Sequence, residues 1–185
     1  MTNTLKYSLG ALGFIILLFL YNQNTQKSHT VSGESIYTGQ RENVSRIVIS
    51  ENEKLIELVK KDTTWSITQA DSLLIKENQI DKVFDRLLIV KQEMLMTSKE
   101  EKWEKFGVED SLGRHLQIFD ENDKELIHFV FGNSGQDYQH NYIRQYKSPN
   151  VYRTNDNVYF LLNSNVTYWG KKPPKPEPED KKEEN

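Results

Sequence analysis

VSRIVISENEKLIELVKKDTTWSIT, residues 44–68, holds three short runs rich in Val, Ile, Leu and Trp, set apart by the polar breaks ENE and KDTT. Strands need β-branched and large apolar residues, and tight turns between them need Asn, Asp and charged clusters. VSRIVIS and KLIELVK therefore read as a hairpin. TWSIT, where Trp65 and Ile67 alternate with polar neighbours, adds a third strand to an antiparallel meander.

Outward from this meander the period changes. From Asn78 onward, Ile80, Val83, Phe84, Leu87 and Leu88 form one apolar stripe at helical spacing, with Asn78 placed as its N-cap. Such a helix has to pack on a sheet. A shorter helix follows: Ser98 and Glu101 have capping-box spacing, Trp103 and Phe106 lie three apart as core anchors, and Gly107 suits the stop. After the SLG turn, RHLQIFD and ELIHFVF flank ENDK as a second hairpin, and NVYR adds a short strand. NVYFLLN, residues 157–163, reads as a terminal helix capped by Asn157 or as one more strand, with the helix preferred. The pattern predicts an α+β domain over residues 44–170, in which antiparallel strand meander and hairpins pack with one or two amphipathic helices.

The flanks read differently. LGALGFIILLFLY, residues 9–21, carries no charge, and from Tyr7 it gives a helix of about 22 Å at 1.5 Å per residue. The hydrocarbon core is about 30 Å thick, a gap that flanking residues and local thinning can close. No small-residue cleavage pattern follows, so residues 7–21 are expected to be an uncleaved single-pass transmembrane anchor in the lipid bilayer, after a short flank at 1–6. Lys6 before the segment, against a first later cation at Lys27, places the body on the extracytoplasmic side of the cytoplasmic membrane. Residues 22–43 form a polar spacer. Residues 171–185, with four of the five prolines and balanced charge, form a solvated tail that buries no core.

Composition excludes several chemistries. There is no cysteine, which removes disulfides, thiolate zinc sites, thiol nucleophiles and lipoprotein-type attachment. A net charge of -3 gives no electrostatic footprint for nucleic acid. None of the four histidines, His29, His115, His128 and His140, pairs with another at i+3 or i+4. Neither a metal nor a cofactor is expected. Carboxylates in the EDS and DEND stretches sit beside turns and read as solvated rather than as an acid and base pair.

The chemically richest stretch is GNSGQDYQHNYIRQY, residues 132–146. Tyr138, His140, Tyr142 and Arg144 fall on alternate positions and are the candidate ligand- or partner-binding residues; no catalytic residue is assigned. With a six-residue loop from Gly132 to Asp137, Phe131 would face Tyr138, Phe129 His140, Ile127 Tyr142, and Glu125 Arg144. A one-residue slip would set His128 against His140, the one arrangement with two imidazoles in reach of a metal. No phosphate-cradling glycine pattern is present.

The order of VSRIVIS, KLIELVK, TTWSI, an amphipathic helix, WEKFGV, a hairpin ending FVFG, NYIRQY and NVYR resembles domain-of-unknown-function family 4340 over roughly residues 44–170. Many members carry a proline shortly after the W-x-I element, where this chain has Ala70. The resemblance implies a membrane-anchored extracytoplasmic α+β module, in genomes often beside ABC-transport genes of the gliding-motility type, with no established activity. The expected function is that of a protein-interaction or accessory subunit with a membrane-protein partner. The alternatives are an envelope hydrolase, or a small-ligand or glycan-binding module on the Tyr138–Tyr146 strand face.

Overall fold

Residues 44–68 form β1 (Arg46–Glu51), β2 (Lys54–Lys61) and β3 (Thr64–Ile67) in the computed structural model, which describes residues 7, 10, 12–19, 33–135 and 138–174. Their turns place Asn52 and Asp62 at φ 52° and 55°, a left-handed conformation that Asn and Asp tolerate better than other side-chain-bearing residues. Register then does the sorting. Ile47 pairs with Leu58 and Ile49 with Ile56, so the centre of one face of the meander is aliphatic.

Eight strands join in one antiparallel sheet in the order β3-β2-β1-β6-β7-β8-β9-β5. The later strands are β6 (Arg114–Phe119), β7 (Glu125–Ser134), β8 (Asn141–Gln145) and β9 (Val151–Thr154), with β5 (Gln92–Thr97) at the edge opposite β3. A two-stranded sheet pairs β4 (Leu74–Ile75) with β10 (Gly170–Lys171). The aliphatic face continues across the centre: Ile47 meets Ile118, Ile49 meets Leu116, Leu116 meets Phe129, and Phe131 meets Ile143.

The chain from β3 to β5 covers that face. Helix α2 (Gln79–Lys82) runs on as a π-helical turn, Val83–Leu87, and the stripe Ile80, Val83, Phe84, Leu87 and Leu88 is buried in the core as its spacing predicts. Leu161, Leu162 and Trp169, the last on α4 (Val166–Trp169), complete the layer. Each such side chain contributes about 1.5–3 kcal/mol by leaving water. The chain joins this core early, because Ile36 is buried and its amide donates to the Val90 carbonyl at 3.0 Å. The described end of the expected 22–43 spacer is thus part of the packing.

On the opposite face the segment after β5 folds back over the sheet. There α3 (Trp103–Phe106) ends at Gly107, whose φ of 64° is the left-handed stop its sequence predicts. Phe106 and Val108 pack on Val130 and Val151.

Three local expectations differ from the structure. Asn78 stands at φ 62° and makes no side-chain cap, and neither Ser98 nor Lys99 caps the turn before α3 with a side chain. Residues 157–163 form only one 3-10 turn, Tyr159–Leu161, in which the Asn157 Oδ1 accepts from the Tyr159 amide at 3.2 Å. Helix α1 (residues 12–19) is described, and no helix among the described residues is long and apolar enough to cross a membrane. Residues 8, 9, 11, 20 and 21 of the expected anchor lie outside the described residues, as does the tail from residue 175.

Candidate functional site

The expected pairing of the 125–146 hairpin is displaced by five residues. Strand β7 continues through Ser134, and Phe129, Val130, Phe131 and Gly132 pair with Gln145, Arg144, Ile143 and Tyr142. Five is odd, so the faces exchange: Tyr142 and Arg144 join Val130 under α3, while Phe129 and Phe131 join Ile143 in the main core. Tyr138 and His140 precede β8 altogether. The four candidate residues therefore divide into two pairs at two places.

Arg144 is buried and Tyr142 is half-buried. Tyr142 stacks edge-on against Phe106 with ring centroids 4.8 Å apart. Arg144 is 1% exposed, its guanidinium 3.8 Å above the Trp103 ring. Its Nε donates to the Val108 carbonyl at 3.0 Å and its Nη2 to the Asp110 carboxylate. A buried cation needs such partners to offset its lost hydration. The three partners all come from residues 103–110, so Arg144 fastens that segment to the sheet.

Beside it lies a pair of histidines that spacing does not suggest. His115 on β6 and His128 on β7 approach with Nδ1 and Nε2 2.9 Å apart, and His128 stacks on Tyr146 at 4.0 Å between centroids. The His115 Nε2 donates to the Asp110 carbonyl at 2.9 Å, so its Nδ1 accepts from His128 Nε2–H. The His128–His140 pairing does not occur, and among the described residues no group of three or more His, Asp or Glu side chains is placed to hold a metal ion.

Burial lowers the His128 pKa to about 4; Glu125, 3.6 Å from its Nδ1, and Asp110 pull it up, while His115 and Arg144 push it further down. An unfolded chain protonates this imidazole first, near 6.5. Its contribution is therefore complete above that pH and is lost as pH falls toward 4. Between pH 7 and 4.5 we expect stability to fall by about 2–3 kcal/mol through this group. Urea unfolding of wild type and His128→Gln at both pH values checks it; equal pH dependence in the two proteins would refute the assignment.

Tyr138 and His140 open onto a crevice of about 490 Å3 lined by Arg86, Tyr138, His140, Asp156, Asn157 and Phe160, among others. Its wall is set by Asn141, which is fully buried. The Asn141 Oδ1 accepts from the Val158 and Tyr159 amides at 2.6 and 3.0 Å, and the Asn141 backbone N–H donates to Thr154 Oγ1 at 2.8 Å. These bonds tie the turn after β9 to the start of β8. The His140 Nδ1–H donates to the Thr154 carbonyl at 2.7 Å, and Glu93 lies 4.0 Å away.

Arg86 grips Asp156 with two bonds, Nε to Oδ2 at 2.8 Å and Nη2 to Oδ1 at 3.1 Å. That grip holds the Asp156 carboxyl below its usual range and raises Arg86 above its own. The guanidinium also lies 4.9 Å from the Phe160 ring centre. Phe160 nevertheless remains 49% exposed and Tyr138 78%. Sequence reasoning reached Tyr138 and His140 but not Arg86, Asp156 or Phe160. Arg86 comes from the helical layer, 70 residues from Asp156, and no local spacing announces that meeting.

The sequence profile of a family described as "Domain of unknown function (DUF4340)" matches residues 65–180. No curated protein and no solved structure matches the chain.

Proposed function

Because the chain belongs to the DUF4340 family, for which no activity is described, we propose a role from its own residues: a single-pass, membrane-anchored extracytoplasmic module that acts as an accessory subunit of a membrane complex. The observation that supports this reading is α1. Leu12, Phe14, Ile15, Leu17, Leu18 and Phe19 are helical and each more than half exposed. Contiguous apolar surface of this kind needs a cover, and lipid is the cover that a charge-free segment suits. The Lys6 bias gives the orientation, and an ABC-transport-type complex is the partner that the family resemblance implies.

Alkaline carbonate extraction of membranes tests the anchor. The full chain is expected to stay in the pellet, and a chain lacking residues 7–21 to move to the supernatant. Release of the full chain by carbonate would refute the anchor. Crosslinking in the same membranes is expected to give one discrete heavier species, and a chain that remains solitary would refute the accessory-subunit role.

A further inference from the structure

Two aromatic rings at the crevice are held out rather than in. Tyr138 stands at φ 56°, a left-handed conformation that costs a bulky residue about 1 kcal/mol or more. It is fixed there by its own amide donating to the Gly135 carbonyl at 3.0 Å and by Asn157 Nδ2 donating to its carbonyl at 2.9 Å. Neither bond uses the phenol, and the ring stays open to solvent. Phe160 is the middle residue of the 3-10 turn that Asn141 organises, with Arg86 near its ring. Two exposed rings lining one crevice offer adjoining apolar surface that a ligand would gain by covering.

Apart from the rings the lining is polar, with His140 bonded to the Thr154 carbonyl and one internally balanced ion pair. Arg86 and Asp156 neutralise each other, and Gln139, Asn155 and Asn157 add neutral amides. An anion such as phosphate would meet a guanidinium already bound to a carboxylate. A purely apolar ligand would desolvate amides and an ion pair without replacing their hydrogen bonds. The ligand that fits has apolar C–H faces for the rings and neutral hydroxyls for the planar polar groups, which describes a sugar.

We propose that the crevice between Tyr138 and Phe160 is a binding site for a neutral carbohydrate, with the two rings stacking on pyranose faces and the Arg86–Asp156 pair and Asn157 bonding to hydroxyls. Its volume of about 490 Å3 lies within the range of small-ligand clefts, ~300–1,000 Å3, and suits the end of an oligosaccharide. The site goes beyond the anchor reading and does not depend on it.

The full chain, kept in a detergent without a sugar headgroup, is observed by saturation-transfer difference NMR with chitotetraose, maltotetraose and cellotetraose as probes. At least one tetrasaccharide is expected to receive saturation at its ring C–H protons. Tyr138→Ala/Phe160→Ala is expected to weaken that binding tenfold or more with an unchanged melting temperature, because both rings are exposed. Leu55→Ala, an exposed position on β2, is expected to bind as wild type. Three results would each overturn the proposal: no transfer to any of the three at millimolar concentration, undiminished transfer in the double variant, or displacement of the sugar by inorganic phosphate at constant ionic strength.

Discussion

Gly132→Ala is expected to lose about 3 kcal/mol or more of stability, the largest effect of any methyl-sized change in this domain. A Cβ at residue 132 would fall on the carbonyl oxygen of Phe106, and it would stand 3.0 Å from both the Phe106 carbonyl carbon and a methyl of Val108. Neither side can yield cheaply. Strand β7 is paired on both edges, to β6 and β8, and the obstructing atoms are backbone at the end of α3. The methyl would therefore lift α3 and the residues after it off the sheet. Phe106 and Val108 would part from Val130 and Val151, and the Val108 carbonyl would be pulled from Arg144. At about 2–4 °C per kcal/mol for a domain of this size, melting should fall by roughly 10 °C. Near-ultraviolet circular dichroism from Trp103 should change as well. Gly113→Ala is the comparison: its Cβ would meet a methyl of Val130, a side chain, but also the carbonyls of Glu109 and Gly107 at 3.1 and 3.2 Å. A Gly132→Ala protein melting within about 2 °C of wild type would show that α3 does not lie as close to β7 as described.

Gly132 also explains why the register of one hairpin departs from its sequence pattern while its neighbours follow theirs. The β1–β2–β3 meander and the β6–β7 hairpin are legible because their turns are polar and their aliphatic residues alternate, so period and punctuation agree. At Gly132 they conflict. A glycine after FVF signals a turn, yet here the missing side chain makes room for another backbone, and the strand runs on to Ser134. Ending the strand at Phe131 displaces the register by an odd number of residues and turns every side chain of β8 to the opposite face. The same displacement makes one site out of Tyr138, His140, Tyr142 and Arg144. Two of these precede the strand and open on the crevice, where their neighbours Arg86 and Phe160 come from distant segments. The α2 stripe was legible because helical burial follows from spacing alone. Its π-helical turn and the left-handed Asn78 were not, since those are set by how the layer fits the sheet.

Arg144→Met should cost about 3 kcal/mol although it replaces a buried charge with an apolar side chain of similar length. Such replacements are often neutral when the whole ion pair is exchanged for packing. Here only the cation would be exchanged. The Val108 carbonyl would keep its burial without its donor, and the guanidinium's stacking on Trp103 at 3.8 Å would be lost. Asp110 suffers less, because its side chain is 54% exposed and water can take over. The loss should thus come from the carbonyl and the stack more than from the carboxylate. Arg144→Lys separates these contributions. A lysine keeps the charge but lacks the planar fork that reaches Val108, Asp110 and the Trp103 face together, so it should recover less than half of the loss. Asp110→Asn should cost about 1–2 kcal/mol, less than either, if the carbonyl and ring carry the fastening. Urea unfolding of the three variants at pH 7 ranks them. If Asp110→Asn proved as damaging as Arg144→Met, the fastening would be an ion pair, and its strength should then fall with added salt. If Arg144→Met cost less than about 0.5 kcal/mol, residues 103–110 would be held by Phe106 and Val108 alone, and Arg144 would be a passenger in a packed face.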